Sequence, residues 1–137
     1  MRILIEKNYV SIWDGFRSNM NIQIKSLYIC VEDMDRAISF YEDLFERPVL
    51  VRDELYSVFD LYGFRFGLFA YKLVNETHVF GSNCLPSINV DSYDDLVCKL
   101  QGKQLCFPLT EIGDNWVAEF VDSEGNHIEI TAPKEHK

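Results

Sequence analysis

Near the C-terminal end of the chain, His127, Glu129 and Thr131 alternate with Ile128 and Ile130. In an extended strand this spacing puts an imidazole, a carboxylate and a hydroxyl on one face and the aliphatic side chains on the other. A carboxylate in mid-strand is costly to bury unless its face is wet, is paired or binds something. Glu129 could therefore hold a cationic ligand, join His127 in a metal site with Cys30 across a cleft, or form an ion pair with Arg65. Cys30 as nucleophile with His127 as base is a further arrangement, but no local motif supports it. The sequence holds no nucleophile elbow, no glycine-rich phosphate loop and no carboxylate pair with metal spacing. His78 and His136 fall in a connection and in the tail, where neither reads as catalytic.

The elements that must position these groups can be read from periodicity. Ser123-Glu124-Gly125-Asn126, flanked by two alternating runs, predicts a closing β-hairpin. Upstream, Ile24 to Val31 alternates as a strand, with Leu27, Ile29 and Val31 on the apolar face. Glu32-Asp33 offers an N-cap, and Met34, Ala37, Ile38, Tyr41, Leu44 and Phe45 recur at helical spacing until Pro48. Val49–Arg52, Tyr56–Leu61 and Phe64–Tyr71 read as three strands, so the unit is β-α-β-β-β. Lys72 to Asn83 is the connection.

The unit then begins again, with a strand over Ser87–Val90 and a helix opened by a capping box of Ser92 and Asp95. Ile29 falls on Ile88, Val31 on Val90, Met34 on Tyr93, Ile38 on Val97 and Tyr41 on Leu100; at the far ends Gly63 falls on Gly125 and Gly67 on Glu129. A repeated unit of this size cannot bury its core alone, so the two copies should pair. The modules span residues 22–73 and 84–132 of a single domain covering 22–137. Residues 1–21 form an N-terminal extension, either an added hairpin or a poorly ordered segment.

Phe120-Val121-Asp122-Ser123-Glu124-Gly125-Asn126-His127-Ile128-Glu129-Ile130 resembles the phrase that ends a module in the vicinal oxygen chelate superfamily, with Ser123 where proline is usual. That superfamily holds glyoxalase I, extradiol dioxygenases, fosfomycin-modifying enzymes and bleomycin-binding proteins. The tandem repeat is a second point of resemblance. Together they imply an α+β fold whose paired modules form a cupped, incompletely closed mixed sheet, with the helices outside and the site on the concave side.

With helices on the Leu27-Ile29-Val31 face, the cleft should be lined by Ser26, Tyr28 and Cys30, by Arg65, Gly67 and Phe69, by Leu85, Ser87 and Asn89, and by His127, Glu129 and Thr131. In metal-dependent relatives the ligands come from the first and last strand of each module. The resemblance carries those four positions onto Ser26, Gly67, Leu85 and Glu129. Glu129 alone is a strong donor, so no metal and no cofactor is expected, and the reading leans away from an enzyme. Tyr28 and Phe69, joined by Tyr56, Tyr62 and Trp116, could instead stack on a planar or cationic molecule.

The chain has 137 residues, of which 47% are hydrophobic and 14% aromatic. That suffices for one core. Thirteen basic residues against twenty-two acidic ones give a net charge of −9, which disfavours nucleic acid and anionic membranes as partners. Cys30, Cys84, Cys98 and Cys106 form no C-x-x-C pair and read as free thiols. No leader or membrane-spanning run is apparent, so a cytoplasmic protein is expected.

These features point to a metal-independent small-molecule binding protein, and the resemblance implies drug sequestration, hence antibiotic resistance, as one such role. The expected ligand contacts are Glu129, His127, Tyr28, Ser26, Cys30, Arg65, Phe69, Ser87, Asn89 and Trp116, and the resemblance implies a homodimer. The alternatives are a divergent metal-dependent lyase of the glyoxalase kind or a dioxygenase, and a regulatory module with a vestigial cleft.

Overall fold

The computed structural model describes residues 23–80 and 84–134; the expectation for residues 1–21 lies outside them. The first module contains strand β1 (Ser26–Cys30), helix α1 (Met34–Phe45) and strands β2 (Tyr56–Leu61) and β3 (Phe64–Phe69). A short 3-10 helix, Tyr71–Val74, leads out of it. The second contains β4 (Ser87–Asn89), α2 (Tyr93–Leu100), β5 (Gln104–Ile112), β6 (Asn115–Val121) and β7 (His127–Pro133).

The strands make two mixed sheets, ordered β1-β3-β2 and β4-β7-β6-β5. In each, the first strand runs parallel to the last, and the remaining pairs are antiparallel. The architecture is the α+β tandem repeat expected from the sequence, without a closed barrel. One element departs from that expectation. Val49–Arg52 forms no strand, only an isolated bridge from Val51 to Val58. Leu50 and Val51 both donate to the single carbonyl of Val58, which ends the ladder. Asp53 then turns the chain, its carboxylate accepting from the N–H groups of Leu55 and Tyr56.

Both helices start where their caps are written. Asp33 accepts from the Arg36 N–H, and Ser92 accepts from the Asp95 N–H. The apolar stripe of α1, Ala37, Ile38, Tyr41 and Leu44, is buried. It packs with Ile29, Phe59, Phe66 and Leu68 of the first sheet and with Ala118, Phe120, Ile128 and Ile130 of the second in one continuous core that also takes in Leu96 of α2. Burying side chains of this size contributes about 1.5–3 kcal/mol each. Because the core lies on the helix side of both sheets, their opposite faces point away from it and, among the described residues, carry no covering element.

The closing hairpin joins the modules. Asp122 is buried, and its carboxylate accepts from the N–H groups of Glu124 and Asn126, the Asn126 side chain and the Tyr41 hydroxyl of the other module. Asn126 also donates from Nδ2 to the Cys30 carbonyl. Glu124 reaches across to the β1–α1 junction, accepting from the N–H groups of Glu32 and Asp33 and from the Arg36 guanidinium. Gly125 sits at φ +100° in this turn, a region side-chain-bearing residues rarely adopt.

Candidate functional site

Alternation places the expected residues on the open faces. Tyr28 and Cys30 of β1 stand opposite Gly67 and Phe69 of β3, and Tyr56 of β2 stands opposite Phe69. Three aromatic rings therefore cluster on the face that Gly67 shares. Tyr28 lies edge-on to Phe69 and to Tyr56, with ring centroids 5.4 Å and 5.9 Å apart. The Tyr56 ring crosses directly above Gly67, where an added Cβ would lie 2.1 Å from the Tyr56 hydroxyl oxygen. Tyr28 is 53% and Tyr56 36% exposed, so the cluster is a surface rather than a core. Burial and the neighbouring Tyr28 raise the Tyr56 hydroxyl above its ordinary pKa, which keeps it a neutral donor.

On the second sheet, Ser87 pairs in register with Glu129 and donates its hydroxyl to that carboxylate. Asn89 donates to Thr131 Oγ1 at 3.1 Å. These contacts fix the Glu129 carboxylate against β4. Arg65 does not pair with it: its guanidinium lies 3.6 Å from Asp60, the residue opposite on β2, so the ion pair is satisfied within the first sheet. Ser26 is exposed beside Arg65 in register.

Three placements correct the sequence reading. Trp116 is opposite Ala132, on the helix side of its sheet, and packs against Tyr93 at 5.0 Å; it is not part of the open face. The even-numbered residues of β6 supply the core, as Ala118 and Phe120 show. Leu85 precedes β4 rather than lying within it, and is half-buried. Tyr62 occupies the β2–β3 turn at φ +55°, 93% exposed, with Arg47 over its ring.

Cys30 does not suit the nucleophile role. Burial, reinforced by Glu76, raises its thiol pKa, which disfavours the reactive thiolate. His127 gathers with Cys106 and Glu119, residues the sequence reading did not assign to the site. Glu119 was legible in principle, since β6 alternation and its pairing with Glu129 put both on one face. The hollows at the two helix N-termini, about 820 Å³ beside α1 and about 410 Å³ beside α2, lie away from the open faces. The first is lined largely by Glu32, Asp33, Asp35, Asp53 and Glu54, and both are shallow surface features.

The four positions that the resemblance carries over as metal ligands, Ser26, Gly67, Leu85 and Glu129, do not fit an ion here. Gly67 offers no donor and Tyr56 fills the space a side chain would need. Leu85 is apolar and Ser26 is a weak neutral donor, leaving one carboxylate that is already engaged by Ser87.

No protein-family model and no curated protein matches the sequence. Solved structures do match the fold. A glyoxalase/bleomycin resistance protein/dioxygenase family enzyme from Burkholderia phytofirmans PsJN superposes with a TM-score of 0.65 at 21% identity, covering 82% of this chain and 99% of that one. A glyoxalase/bleomycin resistance protein/dioxygenase from Alicyclobacillus acidocaldarius gives 0.61 at 15% identity, with 82% and 92% covered. A lactoylglutathione lyase from Agrobacterium tumefaciens gives 0.62 at 14%, with 80% and 92% covered. The chain therefore shares the fold of these structures, a scaffold on which the site and not the fold decides the chemistry. Among the described residues no helix is long and apolar enough to cross a membrane.

Proposed function

We propose that the open face binds a small, planar, cationic organic molecule without a metal at the superfamily's four positions, and that the protein acts by sequestration. The observation that carries this reading is the half-exposed trio Tyr28, Tyr56 and Phe69 clustered on the face that Gly67 shares. Exposed aromatic faces attract a flat cation by stacking and by cation–π contact worth about 0.5–1 kcal/mol per ring. Glu129, held by Ser87 on the second sheet, would supply a counter-charge, and the homodimer that the resemblance implies would give the face its second wall.

The test is a titration with acridine orange, a planar aromatic cation, followed through the dye's own fluorescence because Trp116 faces the other way. Saturable binding weakened by Glu129→Gln supports the reading. Equal affinity in wild type and Glu129→Gln removes Glu129 from the site.

A further inference from the structure

We infer that Cys106, Glu119 and His127 form a binding site for a borderline divalent ion, zinc or cobalt(II), at a place distinct from the superfamily's metal positions. The three residues come from adjacent strands, β5, β6 and β7, and their ligand atoms all lie within 4.8 Å of one another. A thiolate, a carboxylate and an imidazole are the donor set such ions take, whereas magnesium and calcium take oxygen alone.

The backbone supplies an independent reason for the arrangement. Leu105 stands opposite Phe120 and Phe107 opposite Glu119, so Cys106 is an extra residue with no partner of its own. A bulge of this kind re-aims one side chain, and such bulges gather beside functional sites. Leu105 opposes a core residue, and the bulge leaves the Cys106 thiol on the side of Glu119 and His127. Glu129, although opposite Glu119 in register, is drawn to Ser87 and stays out of the group.

Ligand lengths of about 2.3 Å to sulfur and 2.0–2.2 Å to nitrogen and oxygen would draw the three atoms together by roughly an ångström, within reach of side-chain rotation. On coordination the thiol releases its proton to solvent. Three protein ligands leave the fourth tetrahedral position free toward the open face, as in sites where zinc meets a further molecule. The site shares no residue with the aromatic cluster, so the dye titration, run with a chelator, stands or falls by itself.

The test is cobalt(II) titration of the purified full chain, read by visible absorption and by the thiolate-to-cobalt charge-transfer band. Wild type should bind one ion per chain with that band and a tetrahedral spectrum, and zinc should displace it. Cys106→Ser should abolish the band. Glu119→Gln and His127→Gln should each weaken binding by more than the about 10–100-fold that loss of an outer-shell partner costs. Cys98→Ser should change nothing. No ion retained by wild type, a band persisting in Cys106→Ser, or a band lost in Cys98→Ser would each overturn the assignment, and the wild-type result needs no variant to fold.

Discussion

The Tyr56 ring lies across Gly67 so closely that a methyl group on Gly67 would fall 2.1 Å from the Tyr56 hydroxyl oxygen and 2.4 Å from Cζ. The position that pairs with Glu129 in the repeat is thus occupied by a neighbour's aromatic ring rather than by a ligand of its own. This one contact makes the first sheet's open face an aromatic surface.

Gly67→Ala should therefore uncouple stability from binding. The clash is with the far end of a half-exposed side chain, so Tyr56 can swing outward, and thermal denaturation should shift little. The ring cluster would be lost as a surface, and acridine orange affinity should fall at least about tenfold, or about 1.4 kcal/mol. Unchanged affinity would show that the cluster is not the binding surface.

The Tyr41 hydroxyl donates to Asp122 at 2.6 Å from one module to the other, in the buried core. Burial, followed by the Asp122 charge, raises the Tyr41 pKa well above its ordinary value, so the group stays a neutral donor. Tyr41→Phe leaves a buried carboxylate oxygen short of a donor and should cost about 1–3 kcal/mol in urea denaturation. A loss within experimental error would mean that water replaces the hydroxyl.

Glu124 is the pH-sensitive part of the same joint. Burial raises its pKa, but the Arg36 guanidinium and the N–H groups of Asp33 and Glu32 outweigh this and hold the carboxyl below its ordinary range. A carboxyl depressed in the folded state stabilises fully above its unfolded pKa, and that contribution is lost as the pH falls through the lower folded value. Wild type should exceed Glu124→Gln in stability by about 1–3 kcal/mol at neutral pH. The difference should shrink on acidification below the usual glutamate range. A constant difference down to acid would contradict the ion-pair account.

Gly125→Val should cost at least about 1 kcal/mol, because valine at φ +100° is strained even though the space beside Gly125 is open. Chemical denaturation reads this directly. An unaltered midpoint would mean the turn can relax to another conformation without loss.

Strict alternation made β1, β3 and β7 legible in the sequence, since burying Ile29, Leu68 and Ile130 fixes which way Tyr28, Gly67 and Glu129 face. Helical spacing and the caps did the same for α1 and α2. Trp116 was misplaced although alternation within β6 could have placed it, since it lies four residues before the core residue Phe120 and so shares that residue's face. Cys106 was missed because its strand register against β6 and β7, which brings it beside Glu119 and His127, is set by a bulge that the sequence does not mark. The closing phrase was legible as a hairpin, while its larger role was not. Asp122, Glu124 and Asn126 bind across the module boundary, to partners far away in the chain.

Binding of an aromatic cation on the open face without metal is read by calorimetric titration of acridine orange in the presence of EDTA. Wild type should show saturable binding, and Tyr28→Ala with Tyr56→Ala together should weaken it by about 1–2 kcal/mol, the sum of two exposed ring contacts. Absence of binding in EDTA that returns on adding zinc, or equal affinity after removing both rings, would contradict it.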